Sequence, residues 1–273
     1  MTICVTNAFL HKYVLKAALP FILRDRFTID GEAHDGAVCL SFDCERDEDM
    51  QRIPSLLQLL RERRIQTSFA LIGNLVQKHP NFAKDIIRDG HEIVNHSHSH
   101  PQKFRLVSPD EMRKEVVSFQ DLMISNYGYR PQGFRAPHLM REYNEALFRI
   151  LRENRLYDTS YVGHGISMID DVVEIPLTTC PDHPKLCFDY SHNFQLPFIS
   201  CGPRQFFRLW ECLVRTGDFI SIYFDPQLVS DDFLRGIIQR VPDTYQFCRL
   251  EDAAKLMNRS VENRKTTSKS PQR

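Results

Sequence analysis

The chain has 273 residues, 42% of them apolar, and it can therefore bury one substantial core. Its 35 basic and 35 acidic side chains cancel, which excludes a protein drawn to nucleic acid or to an anionic membrane by its overall charge. The eight cysteines form no C-x-x-C pair, no apolar run reaches the roughly 18 residues of a membrane span, and the start lacks the pattern of a signal peptide. We therefore expect a cytoplasmic protein with reduced thiols that does not bind nucleic acid.

The two ends of the chain differ in composition from the middle. In the N-terminal segment, residues 1–35, the stretch 9–28 mixes apolar and basic side chains, and Pro20 interrupts any helix there. We expect this stretch either to pack on the main domain or to contact a membrane surface. Residues 258–273 are polar and lack apolar periodicity, which predicts a disordered, mildly basic tail. The catalytic domain is predicted to span residues 36–257.

Within residues 36–257, short apolar runs alternate with segments of helical period. Ser108 is followed by Pro109 and, three residues after the serine, by Glu111, so a helix is predicted to begin there and to run to about residue 127. The alternation of strands and helices predicts a parallel α/β arrangement. The other predicted elements are strands at 37–42, 67–72, 92–95, 133–135, 158–161, 172–176, 219–224 and 245–248, and helices at 50–64 and 76–88.

An acidic cluster follows the first predicted strand. Residues 41–45 read SFDCE, and Asp43 and Glu45 are two positions apart, so in an extended segment both carboxylates face one side. In a parallel barrel the reactive groups lie just past the carboxyl ends of the strands. This pair is therefore a candidate for chemistry, whereas residues 47–49 are expected to form the solvated, acidic first turn of a helix.

A histidine cluster follows the third predicted strand. Residues 96–100 read HSHSH, and two imidazoles four residues apart, His96 and His100, can converge on one ion. Two imidazoles and one carboxylate, with a position left open for water, suit a divalent ion such as zinc. We expect one metal ion per chain.

A third cluster, GFRAPH at residues 133–138, ends another short strand. The guanidinium of Arg135 could form a surface ion pair there. It could instead orient a carboxylate of the site, because arginine binds carboxylates through two parallel hydrogen bonds.

At these clusters the sequence resembles the polysaccharide deacetylases of the NodB-homology type, carbohydrate esterase family 4. That family has a TFDD-type first motif, an H-[ST]-x-x-H second motif and an R-x-P third motif. Residues 41–45 look like a D-x-[DE] variant of the first motif, residues 96–100 match the second and residues 134–138 match the third. The resemblance spans roughly residues 36–256 and implies an α/β fold, the irregular (β/α)7-type NodB barrel.

The resemblance also implies a role for each residue of the clusters. Asp43 would be the catalytic base, and Arg135 would hold it. The metal ligands would be Glu45, His96 and His100. The backbone N–H of His138 would help to stabilise the oxyanion. Asp158 resembles the family's fourth motif at the floor of the site, although a plain turn-capping role for it stays open.

The last motif departs from the family pattern. Relatives have Phe-His-Pro after an apolar strand, whereas residues 224–226 read Phe-Asp-Pro. The family's histidine is the general acid for the leaving amine, and Asp225 can replace it only if burial or a like charge raises its pKa. Otherwise the acid is another group, such as His138 or His192, or catalysis is lost.

The implied activity is that of a metal-dependent hydrolase of non-peptide C–N bonds, which removes an acetyl group from an N-acetylated sugar. The sugar could be polymeric, oligomeric, or linked to a lipid or nucleotide. Two alternatives stay open: hydrolysis of a non-sugar C–N bond such as that of a cyclic ureide, and a catalytically impaired homologue that only binds carbohydrate. The sequence predicts no oligomeric state.

Overall fold

A computed structural model describes residues 27–32, 36–189 and 202–257. The predicted tail, nearly all of the stretch 9–28, and His192 lie outside these residues. Within them, thirteen strands form two sheets. The strands are β1 (Thr28–Asp30), β2 (Ala37–Cys44), β3 (Ser68–Leu71), β4 (Glu92–Asn95), β5 (Gly133–Phe134), β6 (Tyr157–Asp158), β7 (Val162–His164), β8 (Ser167–Ile169), β9 (Val172–Glu174), β10 (Leu177–Cys180), β11 (His183–Cys187), β12 (Ile220–Phe224) and β13 (Gln246–Phe247).

The main sheet carries the chemistry-bearing clusters at one edge. Its strand order is β12-β2-β3-β4-β5-β6-β9-β8, with β13 paired to the start of β2, and the strands are parallel except for the last pair, β9 and β8. Every residue of β2 after Ala37 is buried, as expected for a central parallel strand that is covered on both faces. Because the strands from β12 to β6 run in parallel, their carboxyl ends meet at one edge of the sheet.

A second, four-stranded sheet lies against the main sheet. Its order is β1-β7-β10-β11, and it touches the main sheet where the backbone N–H of Ser221 in β12 donates to the Thr178 hydroxyl in β10, at 2.9 Å. This sheet was not predicted from the sequence. Its strands are three to five residues long, which is too short to show a clear period.

Helices cover the main sheet in the order expected of an α/β fold. The helix predicted at 76–88 is in fact two helices, because Pro80 has no backbone N–H to continue the first one and begins the second. The predicted start at Ser108 is correct, since its hydroxyl accepts from the Glu111 N–H and the Glu111 carboxylate accepts from the Ser108 N–H. The main helices of the described residues are α1 (Asp47–Arg63), α2 (Gly73–Lys78), α3 (Pro80–Arg88), α4 (Pro109–Tyr127), α5 (Glu145–Asn154), α6 (Gly202–Val214) and α7 (Asp231–Gln239).

The core lies between these helices and the main sheet. Trp210 on α6 is completely buried, and its indole N–H donates to the Ile237 carbonyl at 3.1 Å, so it is a core residue and not an exposed platform for a sugar ring. In the part of the chain that the structure describes, no helix combines the length and apolarity needed to cross a membrane. The six cysteines there are all free thiols.

Candidate metal centre and active site

The three predicted metal ligands converge at the carboxyl edge of the main sheet. Glu45 follows β2, and His96 and His100 follow β4. One carboxylate oxygen and one nitrogen from each imidazole all lie within 4.8 Å of one another. Burial alone would raise the pKa of Glu45, but the contacts with His100 and His96 outweigh burial and hold it well below its usual range. The carboxylate is therefore ionised near neutral pH.

The tautomer of His96 is set by its second ring nitrogen. Nδ1 lies 2.8 Å from the Arg135 carbonyl, which can only accept, so Nδ1 carries a proton. A neutral ring then directs the Nε2 lone pair at the Glu45 carboxylate oxygen, 3.2 Å away. Burial lowers the pKa of His96, but Glu45 and Asp43 raise it by more. Two lone pairs face each other unless a proton or a metal ion lies between them, and this arrangement suits a metal ligand.

His100 fits a metal ion for a different reason. Its Nε2 is buried and lies 3.1 Å from the Glu45 carboxylate oxygen, yet the two atoms do not have the geometry of a hydrogen bond. A buried nitrogen without a hydrogen bond is costly in a protein interior. A cation bound by Nε2 and the carboxylate would remove that cost, so the donor set fits a divalent ion.

The loop that carries these histidines is held by residues that the sequence analysis missed. The Glu115 carboxylate on α4 accepts from the backbone N–H groups of His98, at 2.9 Å, and Ser99, at 2.7 Å. The His98 ring packs against Gly73, where an added Cβ would come within 2.3 Å of the ring. His98 is therefore turned away from the metal ligands. Glu115 lies nearly two turns into α4, and no sequence pattern connects it to this loop.

Asp43 and Arg135 form a buried ion pair beside the metal ligands. The guanidinium is completely buried; it donates to the Asp43 carboxylate and, at 2.9 Å, to the Ser41 hydroxyl. A second side of the guanidinium faces Thr159, whose carbonyl lies 3.4 Å from Nε. Arg135 therefore orients Asp43, and the alternative of a surface ion pair is wrong.

His138 lies at the mouth of the site. Both His138 and the following Leu139 have left-handed backbone conformations, with φ of 60° and 58°, which turn the chain sharply after Pro137. The exposed His138 ring meets the His100 ring edge to face, with centroids 4.8 Å apart. The oxyanion role of its backbone N–H stays a prediction.

Asp158 supports the site from below and does not contact its open side. It is completely buried, and its carboxylate accepts from the Thr159 N–H and pairs with the Ser160 hydroxyl. The Ser160 hydroxyl in turn accepts from the Ala136 N–H at 2.8 Å, next to Arg135. Asp158 therefore holds the segment after β5, and its part in the reaction stays a prediction. Burial raises its pKa to about 6.

Glu174 is a second buried carboxyl group in this support, and the sequence analysis did not predict it. Burial is the first cause that raises the pKa of Glu174 well above its usual range, and the adjacent Asp158 carboxylate raises it further. One proton shared between the two carboxyl groups accounts for a buried acidic pair.

Asp225 stands at the end of β12, where the family has histidine. It is half-buried, and burial together with the nearby carboxylates of Asp43, Glu45, Asp49 and Asp189 raises its pKa to about 8. The side chain is therefore largely protonated at neutral pH in the metal-free protein. A bound cation would oppose this shift, because it stabilises the ionised form.

Asp49 corrects the prediction that residues 47–49 are a solvated turn. Asp47 does pair with Lys78 and His79 at the surface, but Asp49 is 1% exposed. Its carboxylate accepts backbone N–H groups from two separate loops, those of Glu45 and Gln227. The three consecutive acidic residues look equivalent in the sequence, but the helix turns only Asp49 towards the core.

Comparisons with known proteins agree with this architecture. Residues 30–158 match the family model described as polysaccharide deacetylase. A peptidoglycan-N-acetylglucosamine deacetylase of Bacillus cereus is 30% identical over 112 residues, which are 41% of this chain and 40% of that protein. This chain thus aligns with well under half of that relative's length.

Two solved structures share the fold. One is a candidate polysaccharide deacetylase of Mycobacterium smegmatis, with a TM-score of 0.71, 18% identity, and coverage of 86% of this chain and 96% of the other. The other is a carbohydrate esterase family 4 pseudoenzyme of Bacillus anthracis, with a TM-score of 0.59, 15% identity, and coverage of 82% and 67%. The predicted α/β fold of the NodB type is confirmed. Residues 30–158 match the polysaccharide deacetylase model and the motif residues lie together at one sheet edge, so the predicted resemblance to the polysaccharide deacetylases is confirmed.

Proposed function

We propose that this protein is a metal-dependent hydrolase that removes the acetyl group from an N-acetylated sugar. The observation that carries the proposal is the placement of Glu45, His96 and His100 within 4.8 Å of one another, next to a buried carboxylate, Asp43, that Arg135 orients. Metal-assisted hydrolysis of an amide needs a set of metal ligands and, next to it, a base that accepts a proton from the attacking water. We propose zinc as the ion, since two imidazoles and one carboxylate suit it.

The residues around the metal ligands have separate roles in the proposed reaction. A divalent ion at these ligands would supply Lewis-acid polarisation of the amide carbonyl and would acidify water. Asp43 takes the proton of the attacking water, because Arg135, which also donates to the Ser41 hydroxyl, orients its carboxylate. The His138 N–H donates to the oxyanion that forms on the former carbonyl oxygen.

Departure of the amine needs a proton on nitrogen, and we propose Asp225 as its source. The C–N bond breaks as the proton moves from the Asp225 carboxyl group to nitrogen, and the products are acetate and an amino sugar. The raised pKa of Asp225, about 8 in the metal-free protein, supports this role.

The names of the curated relatives support an N-acetylated sugar as the substrate class. Besides the Bacillus cereus deacetylase, a chitooligosaccharide deacetylase of a Bradyrhizobium species is 30% identical over 86 residues. We propose a cytoplasmic protein, for which a lipid-linked or nucleotide-linked sugar suits better than a cell-wall polymer.

A second candidate function is carbohydrate binding without turnover. The aspartate at position 225 favours it, since a carboxylate close to a cation is readily kept ionised and then cannot donate a proton. The fold similarity to a pseudoenzyme shows that the fold also occurs in a protein described as lacking the activity.

One experiment separates these functions. Metal content of the purified protein is measured, and acetate release is screened over N-acetylated sugars, nucleotide sugars and oligosaccharides. Bound metal with acetate release supports the proposed deacetylase. Bound metal with no acetate from the whole panel supports the binder, and ammonia or urea from cyclic ureides, without acetate, contradicts both.

A further inference from the structure

Asp49 joins the two halves of the site through its two carboxylate oxygens. Oδ2 accepts from the backbone N–H of Glu45 at 3.1 Å and from that of Arg46 at 3.0 Å. Oδ1 accepts from the backbone N–H of Gln227 at 3.1 Å. Glu45 is a metal ligand, and Gln227 lies two residues after Asp225, so one side chain contacts both loops.

Helix capping explains only one of these contacts. Asp49 is the third residue of α1, and a carboxylate there ordinarily accepts the N–H of the N-cap residue, here Arg46. The bond to Gln227 lies outside this motif and connects residues 178 positions apart in the chain. Asp49 is only 1% exposed, so the three backbone N–H donors, and not water, satisfy its carboxylate oxygens.

Arg52 of α1 also contacts the segment after Asp225, where it donates to the Val229 carbonyl at 3.3 Å, but the strand pairing itself ends before the point that Asp49 joins. β2 and β12 are neighbouring strands, and their pairing ends at Phe42 and Phe224. Beyond those residues the two chains leave the sheet, one towards Glu45 and the other towards Asp225. A hydrogen-bonded carboxylate between them replaces the ladder that has ended.

We propose that Asp49 is a positioning residue that fixes the metal-ligand segment around Glu45 relative to the loop that carries Asp225. This inference rests on the proposed function, because it assigns Glu45 to the metal and Asp225 to proton transfer. Groups that orient metal ligands in this way typically contribute about 10–100-fold to metal affinity or activity.

The test compares Asp49→Asn with Glu48→Gln. The first variant keeps one acceptor oxygen but turns an amide N–H₂ towards backbone donors, so it can keep only one of the two connections. The second removes the same charge from the same helical turn at an exposed side chain. Zn²⁺ affinity is measured by competition with a chelator, and hydrogen exchange is measured at the Glu45 and Gln227 amides.

We expect Asp49→Asn to bind Zn²⁺ at least about 10-fold more weakly than the parent and to speed exchange at one or both amides, with Glu48→Gln unchanged. With saturating metal, kcat should fall more than KM rises. If Asp49→Asn equals Glu48→Gln in affinity and exchange, the proposal is wrong.

Two further results keep the outcomes distinct. If the parent protein binds no divalent ion, the proposed function fails, but exchange at the two amides still decides whether Asp49 ties the loops. If Asp49→Asn does not fold, the parent decides: Glu45 and Gln227 amides that exchange as fast as unbonded loop amides would overturn the inference.

Discussion

Asp225 lies beside Asp43 at the carboxyl ends of two adjacent parallel strands, because Phe224 in β12 pairs with Phe42 in β2. Two carboxyl groups so placed resist simultaneous ionisation. Arg135 pairs with Asp43, whereas burial and the nearby carboxylates raise the pKa of Asp225 to about 8. In the proposed mechanism this neighbouring pair supplies the base, Asp43, and the acid, Asp225.

Metal content should depend on both outer histidines of the cluster. We expect about one divalent ion per chain, and His96→Ala and His100→Ala should each remove it, because three protein ligands are the minimum for a catalytic ion of this type. Elemental analysis of the purified variants measures this. His98→Ala is the matched control and should keep its metal, since that ring packs on Gly73. Full occupancy in both His96→Ala and His100→Ala would show that the ligands are assigned wrongly.

Removal of the proposed base should separate turnover from metal binding. Asp43→Asn should lower acetate release by about 10²–10⁴-fold while the metal stays bound, because the carboxylate acts on water and does not ligate the ion. Glu45→Gln should instead lose the metal. The measurement is metal content and initial rate on the same preparations. If Asp43→Asn sheds its metal and Glu45→Gln keeps it, the two roles are reversed.

The pH dependence of the rate should report on Asp225. If its carboxyl group is the donor, the rate falls on the alkaline side as the proton is lost, with a midpoint at or below the value of about 8 found without a cation. Asp225→Asn should remove both the activity and this alkaline limb. Asp225→His, which restores the family residue, should keep or raise activity towards an N-acetyl sugar. Parent-like rates in Asp225→Asn would move the search for the acid to His138 or His192.

Acid stability of the metal-free protein should depend on His91. Burial lowers its pKa to about 4, and its Nδ1 accepts the Thr67 N–H at 3.1 Å, so the folded state holds the neutral ring. The unfolded chain binds a proton near pH 6.5, so the unfolded state holds more protons between about pH 6.5 and pH 4. The contribution of His91 to the free energy of unfolding should therefore fall as the pH drops through this window, by up to about 3 kcal/mol.

Urea unfolding at pH 7 and pH 5 with a chelator present tests the role of His91. Replacing His91 by Asn should lower stability at pH 7, and the variant should be less destabilised relative to the parent at pH 5 than at pH 7. Glu92 provides the internal contrast, since burial raises its pKa to about 7 and its contribution is lost as the pH rises from about 4.5. A His91→Asn variant with the same pH slope as the parent would contradict the assignment.

Local patterns in the sequence were sufficient for the strands that carry the site and for the residues at their ends. Asp43, Glu45, His96, His100 and Arg135 each follow a short apolar run, and parallel strands bring such positions to one edge whatever the details of packing. The capping box at Ser108 is likewise a local interaction, complete within four residues.

Only the tertiary structure decided which of the remaining polar residues serve the site. The order of the strands and the orientation of the helices bring Asp49 to Gln227. They likewise bring Glu115 to the backbone of His98 and Ser99. Burial of Asp225 among other carboxylates, which sets its pKa, likewise comes from residues distant in sequence. Such contacts leave no period or spacing in the chain, because each side chain's role depends on a partner that folding alone brings near.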